Sequence, residues 1–174
     1  MNNQFLTYAF KTFQLIAIAT ICIFFIRSFI VEPGRVNGRS MENTFIDENI
    51  FFVNKFILLF HQPKRGNIVQ FIDPQKNTLT IKRIIVLPGE QVVIRSNHVY
   101  IITKDGNEIL LDEPYLKQGM ITQSASGIAM VSNIIPPNEY FVLGDNRTHS
   151  FDSRHYNTIH RSYIQGLVIK LNNR

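Results

Sequence analysis

Leu79-Thr80-Ile81-Lys82-Arg83-Ile84-Ile85-Val86-Leu87, closed by Pro88-Gly89, reads as a β-strand, because β-branched residues dominate it and the Pro-Gly pair ends it in a turn. Side chains alternate between faces along a strand. Lys82 is therefore expected to share a face with Thr80, Ile84 and Val86, and Arg83 to share the other with Ile81, Ile85 and Leu87. One basic residue is thus aimed at an apolar, partly hydroxylic surface. Outward from this segment the same pattern repeats, with strands expected at Ile50–Asn54, Asn67–Phe71, Thr78–Val86, Gln91–Arg95, His98–Ile102, Tyr140–Leu143 and Gln165–Leu171. Lys64-Arg65-Gly66, Asp73-Pro74, Ser96-Asn97, Asp105-Gly106, Pro136-Pro137-Asn138 and Gly144-Asp145-Asn146 punctuate them as turns. Gln118–Asn133 is polar enough to be a surface excursion, and no internal repeat or low-complexity tract interrupts the chain. The expected fold class is mostly β: a compact, barrel-like β-sheet domain carrying one N-terminal transmembrane helix.

That helix comes from a different pattern. Between Lys11 and Arg27 lies the uncharged run TFQLIAIATICIFFI, residues Thr12–Ile26, and apolar character resumes through Phe29, Ile30 and Val31. Taken as a helix, residues 12–31 span roughly 30 Å, the thickness of a bilayer core, provided Arg27 snorkels to the interface. A cleavable leader would need a small-residue exit. The run ends instead in bulky residues followed by Glu32-Pro33-Gly34, which points to a retained anchor. The core helix of a soluble domain is the bland alternative. The expected division is 1–11 as a short tail, 12–31 as the anchor and 32–174 as the β-rich domain. Lys11 on one side is outweighed by Arg27, Arg35 and Arg39 on the other, so charge counting leaves the orientation open.

The chain of 174 residues has room for one modest domain beyond the anchor, and its 45% apolar content is ordinary for a chain that buries a core. Its net charge of +5 comes from basic residues scattered singly or in pairs, which favours anionic surfaces such as phospholipid over nucleic acid. Cys22 is the one cysteine and lies in the apolar run, which excludes an intrachain disulfide and a thiolate zinc site.

Three short segments carry possible chemistry. Gly38-Arg39-Ser40-Met41-Glu42-Asn43-Thr44-Phe45 puts a serine a few residues after the anchor; alone, such a serine is usually a turn or cap residue. Lys82 offers a base only if it is desolvated, since a free lysine with pKa near 10.4 is charged at neutral pH. A neutral amine there could take the proton of a serine hydroxyl, whereas a lysine at a sheet edge more often snorkels outward. The third segment, Gly144-Asp145-Asn146-Arg147-Thr148-His149-Ser150-Phe151-Asp152-Ser153-Arg154, follows an expected strand. Its Asp145, Arg147, Asp152 and Arg154 can pair into a network that fixes a loop, and Ser150 could hold an amine in line.

Together these segments resemble the serine, lysine and Gly-Asp-Asn-Arg boxes of bacterial type I signal peptidases, whose pattern is roughly S-M-x-P-T, K-R-x-x-x-x-P-G-D and G-D-N-R-x-x-S-x-D-S-R. They read here SMENT, KRIIVLPGE and GDNRTHSFDSR, and the third box matches at all eight specified positions. The likeness runs from the anchor to the last strand and takes in Gly66-Asn67-Ile68-Val69 and Gly166.

The resemblance implies a serine endopeptidase with Ser40 as nucleophile, Lys82 as general base and Ser150 as the hydroxyl that orients the lysine. It further implies Arg83 with Asp145, and Asp152 with Arg154, as supporting pairs. Relatives cut secretory preproteins after small residues, A-x-A-like sites, at the outer face of the cytoplasmic membrane, with the N-terminus inside. They use no metal or organic cofactor. The implied partners are signal peptides, membrane phospholipid and the secretion translocon. Val36, Met41 and Ile81, next to the dyad, are expected to line a shallow apolar pocket. Where some relatives place a serine hydroxyl two positions before the nucleophile, this chain has Gly38. Asn43 stands for a usual proline, Val86 for a glycine, Glu90 for an aspartate and Asn157 for a glycine after the third box. The rival readings are an idle relative that binds preproteins without cutting, a self-cleaving repressor-like protein, which would need a DNA-binding domain where this chain has an anchor, and a non-enzymatic membrane adaptor.

Overall fold

The computed structural model describes residues 3–127 and 129–169. Met1 and Asn2 of the expected tail, the end of the last expected strand at Leu171 and the Arg27 side chain expected to snorkel lie outside the described residues.

Helix α1, Asn3–Phe29, is followed by strands β1 (Val31–Arg35), β2 (Ile50–Asn54), β3 (Ile68–Ile72), β4 (Leu79–Val86), β5 (Gln91–Arg95), β6 (His98–Ile102), β7 (Glu108–Leu110), β8 (Met130–Val131) and β9 (Glu139–Leu143). The short helix α2 (Ser153–Tyr156) and strands β10 (Ile159–His160) and β11 (Ile164–Ile169) complete the order. The strands form two antiparallel sheets, one ordered β1-β2-β11-β3-β4-β9-β10 and the other β7-β6-β5-β8. The larger sheet curls into a half-barrel.

α1 extends further toward the N-terminus than the expected anchor and stops earlier, because Val31 is drawn into β1. Its span Gln4–Ile26 is long and apolar enough to cross a membrane, and none of it is buried against the rest of the chain. Phe5, Phe13, Leu15, Ile18, Ile23 and Phe24 are exposed around its circumference. A soluble core helix would bury one stripe, whereas this span buries none against the described residues, which fits a membrane anchor rather than a core helix of this domain.

β1 is absent from the expected strands because Glu32-Pro33-Gly34 resembles a break. It is an edge strand, where proline is tolerated, pairing Pro33 with Phe52 and Gly34 with Phe51. A Cβ at Gly34 would lie 2.5 Å from the Phe51 ring, so the strand can pass beneath that ring only as glycine.

Three apolar clusters hold the sheets. Val69, Phe71, Ile84, Tyr140, Val142, Ile159 and Ile164 fill one face of the large sheet. Ile85, Val86, Val92, Ile94, Val99, Ile101, Phe141 and Leu143 fasten the small sheet to the other. Val36, Met41, Phe45, Phe51, Val53 and Ile81 pack beneath the serine segment. β9 alternates between the first two clusters residue by residue, but β4 does not. Its pairing with β9 shifts between Ile84 and Val86, a bulge that sends Val86 to the side of Ile85 and returns Leu87 to the side of Ile84. The expected placement of Val86 with Lys82 and of Leu87 with Ile85 is corrected by that one extra residue.

Candidate active site

The serine turn is fastened at both ends. Val36 donates its N–H to Asn49 O at 2.9 Å, and Thr44 and Phe45 both donate to Met41 O, at 2.8 and 2.7 Å. Gly38, at φ +97°, donates to Asp47 Oδ1 at 2.9 Å. From the other side of the site Asn146 N donates to Ser40 O at 2.9 Å, and Asp145 N to the buried Met41 sulfur at 3.4 Å. Ser40 therefore sits, half-buried, on a turn held by its own segment and by the third box.

Lys82, on β4 opposite Val69 of β3, reaches this turn although it is only 3% exposed. Its Nζ lies 2.9 Å from Ser40 Oγ, 3.2 Å from Thr80 Oγ1 and 3.0 Å from Ile81 O. All three neighbours are neutral. Burial pushes the amine down from 10.5 to about 8; Asp152, Asp73 and Asp145 oppose that fall, and Lys76 adds to it. The amine is thus placed and tuned to exchange a proton with a hydroxyl near neutral pH.

The third box closes the site. A Cβ on Gly144 would lie 2.6 Å from Ser40 O and would overlap the Ser150 side chain, so this position must be glycine. Arg83 donates through Nε and Nη2 to the two oxygens of buried Asp145 at 2.8 and 2.7 Å, donates to Gly66 O at 2.8 Å and stacks 3.9 Å from the centre of the Tyr115 ring. Thr44 Oγ1 donates to the same carboxylate, and Asn43 Nδ2 donates to Asp145 O at 2.8 Å. Asp152 caps α2 and accepts from Gly144 N at 3.0 Å and from Arg154 Nε at 2.8 Å. Burial works against its charge, yet the Arg154 guanidinium and the Gly144 N–H hold its carboxyl below the usual range. Arg154 also donates to Gln123 O at 3.1 Å and to Arg147 O at 2.7 Å.

Three expectations change. Arg147 does not join the aspartates of its own box; it is ion-paired with Glu113, donates to Thr122 Oγ1 and donates through Nε to Gly144 O at 3.0 Å. The stretch 118–133 is therefore no simple surface excursion, since Thr122 and Gln123 receive the two arginines. Ser150 is buried beside the site, but no hydrogen bond joins its hydroxyl to the amine; the side-chain oxygens bonded to Lys82 are those of Ser40 and Thr80. The strand alternation already places Thr80 on the face of Lys82; Glu113 carries no signal in the sequence at all.

An open cleft of about 270 Å³ runs past Ser40, floored by Val36, Met41, Phe51 and Ile81 and flanked by β1, Gln70, Leu79 and Thr80. Val36, Met41 and Ile81 all line this cleft. The substituted positions have local explanations. Glu90 accepts both Nη2 bonds of Arg65, at 2.7 and 2.9 Å, and the N–H of Leu87. Asn157 ends α2 at φ 64°, ψ −136°, a conformation that favours glycine. Val86 sits at the β4 bulge. Among the described residues, no group of three or more His, Cys, Asp or Glu is placed to hold a metal ion.

Comparison with known proteins points one way. The family model for signal peptidase, peptidase S26, matches residues 9–171. The chain is 38% identical over 145 residues to signal peptidase I P of Bacillus subtilis subsp. natto, covering 81% of this chain and 75% of that one. It is 36% identical over 149 residues to signal peptidase I of Bacillus licheniformis, covering 83% and 77%. The crystal structure of a signal peptidase I from Enterococcus faecalis matches with a TM-score of 0.51 and 28% identity, covering 62% of this chain and 97% of that one.

Proposed function

The chain belongs to the signal peptidase family, peptidase S26, and from that premise we propose that it removes signal peptides from secretory preproteins as a serine endopeptidase, with Ser40 as nucleophile and Lys82 as general base. The observation that carries this reading is the buried Lys82 amine 2.9 Å from Ser40 Oγ, its pKa pushed down to about 8.

In the proposed reaction the neutral Lys82 amine takes the Ser40 proton as Oγ attacks the scissile carbonyl. The oxyanion forms beside the Ser40 N–H, its proposed donor; Gly38 offers no hydroxyl as a second. The lysinium returns its proton to the leaving amine, which departs as the N-terminus of the mature protein. Water, deprotonated by the same amine, then releases the signal peptide from Ser40. Arg83 with Asp145, and Asp152 with Arg154, serve as supports, because they fix β4 and the Gly144 turn between which the amine and the hydroxyl meet. The floor of Val36, Met41 and Ile81 suits small side chains, which supports cleavage after A-x-A-like sites.

The proposed topology places the N-terminus in the cytoplasm, the apolar span Gln4–Ile26 of α1 across the cell membrane, and the β-rich domain from Val31 onward outside, near the secretion translocon. The turn Phe56–Leu59 supports a second contact of the domain with phospholipid. Lys55 N donates to Ile30 O at 3.0 Å, directly at the end of α1, and Phe56, Leu59 and Phe60 stand exposed beside it. Holding enzyme and membrane-inserted substrate in one plane raises their effective concentration.

The test is cleavage of a preprotein bearing an Ala-x-Ala site by the full chain in lipid or detergent, with Ser40→Ala alongside. Cutting by the wild type alone supports the peptidase and its nucleophile. No cutting by folded wild type moves the reading to an idle relative that binds preproteins.

A further inference from the structure

We propose that Thr80 is the positioning residue that aims the lone pair of Lys82 at Ser40, a role resting on the Ser-Lys reading above. Three oxygens surround the amine: Ser40 Oγ at 2.9 Å, Ile81 O at 3.0 Å and Thr80 Oγ1 at 3.2 Å. A charged amine has three N–H bonds and can give one to each. A neutral amine has two N–H bonds and one lone pair, so one neighbour must reverse its role and donate. Ile81 O is a carbonyl and only accepts. When Thr80 Oγ1 accepts the second N–H, the lone pair is left facing Ser40, whose hydroxyl turns and donates to it. That is the arrangement general-base catalysis needs.

Without the Thr80 oxygen the second N–H is free to stay on Ser40, and the lone pair then points away from the proton it must receive. The geometry favours Thr80 for this task. It lies two residues before Lys82 on β4, hence on the same face, and its β-branched side chain has few rotamers through which to lose the contact. It pairs across with Phe71, whose side chain is fully buried, so its backbone is fixed. Ser150, the other buried hydroxyl near the site, makes no hydrogen bond to the amine and acts on the Asp152 carboxylate instead. The charged groups acting on the amine lie on other segments: Asp73 and Lys76 follow β3, and Asp145 and Asp152 follow β9.

The experiment compares Thr80→Val, which keeps shape and loses the acceptor, with Thr80→Ser, which keeps the hydroxyl, in the full chain on an Ala-x-Ala preprotein. Thermal unfolding monitors folding, and Ser40→Ala and Ser150→Ala are run in parallel. Thr80→Val is expected to lower kcat by about 10- to 100-fold with KM changed by less than about twofold. It should also move the acidic limb of the pH profile to lower pH, because the buried ammonium has lost a partner. Thr80→Ser is expected to restore both. Wild-type kcat and pH profile in folded Thr80→Val, a larger loss in Ser150→Ala than in Thr80→Val, or no rescue by serine would each overturn the proposal. If Ser40→Ala itself cuts, the Ser-Lys reading fails instead.

Discussion

On one side of β4 the guanidinium of Arg83 meets a fully buried carboxylate through two bonds of 2.8 and 2.7 Å; on the other, the amine of Lys82 meets three neutral oxygens. The two cations are adjacent in sequence and almost equally withdrawn from water, at 9% and 3% exposure. The Asp145 carboxylate compensates the Arg83 guanidinium where it is withdrawn from water, and the pair ties β4 to the third box. Lys82 faces no carboxylate at bonding distance, so burial falls on its charged form and frees the proton. One strand thus turns desolvation into a structural clamp on one face and into basicity on the other. Which result emerges is decided by the partner residue rather than by burial.

The contrast breaks most sharply if the proton-exchanging side is made permanently charged or removed. Lys82→Ala and Lys82→Arg are each expected to lower cleavage of an Ala-x-Ala preprotein by at least about a thousandfold, the arginine because it stays charged, while the domain remains folded. Near-normal turnover in Lys82→Arg would mean that the amine is not the base.

The clamp is tested by Arg83→Ala, which leaves Asp145 buried and uncompensated. A loss of about 3 to 5 kcal/mol in denaturant unfolding is expected, as for a broken buried ion pair. Unchanged stability would mean that the Thr44 hydroxyl satisfies the Asp145 carboxylate without it.

The smallest effect concerns stability on the lysine side. The Lys82 pKa is about 8 folded and near 10.5 unfolded, so folding burdens the charged form. That cost is complete below about pH 8, where both states are protonated, and fades as pH rises toward 10.5, where the unfolded state also loses its proton. Lys82→Met is therefore expected to unfold later than wild type at pH 7, by at most on the order of 3 kcal/mol, with the gain shrinking toward pH 10. A gain that persisted unchanged at pH 10 would trace to packing instead of charge.

Much of the fold and of the site is legible in the sequence, and the failures share physical causes. β2, β5 and β6 match the expected strands to the residue, because aromatic and β-branched runs meet turn residues at both ends. β8 and β10 have two residues each, too few to show any period. β1 hides behind Pro33-Gly34, since an edge strand tolerates what a central strand forbids. The β4 bulge reverses Val86 and Leu87, because an inserted residue flips the face of every later position in the strand without altering the hydrophobic pattern. Box order carries Ser40 and Lys82 to one place. The pairing of Arg147 with Glu113 is illegible, because opposite charges far apart in sequence become partners only once the fold delivers them.

α1 ends at Phe29 and β1 begins at Val31, so a single residue separates the rod from the sheet, and the Lys55 N–H closes on that residue's carbonyl. With α1 seated in a bilayer, such a joint acts as a depth stop. On the proposed topology so short a joint would hold the cleft near one height above the lipid, making bond choice partly a matter of altitude.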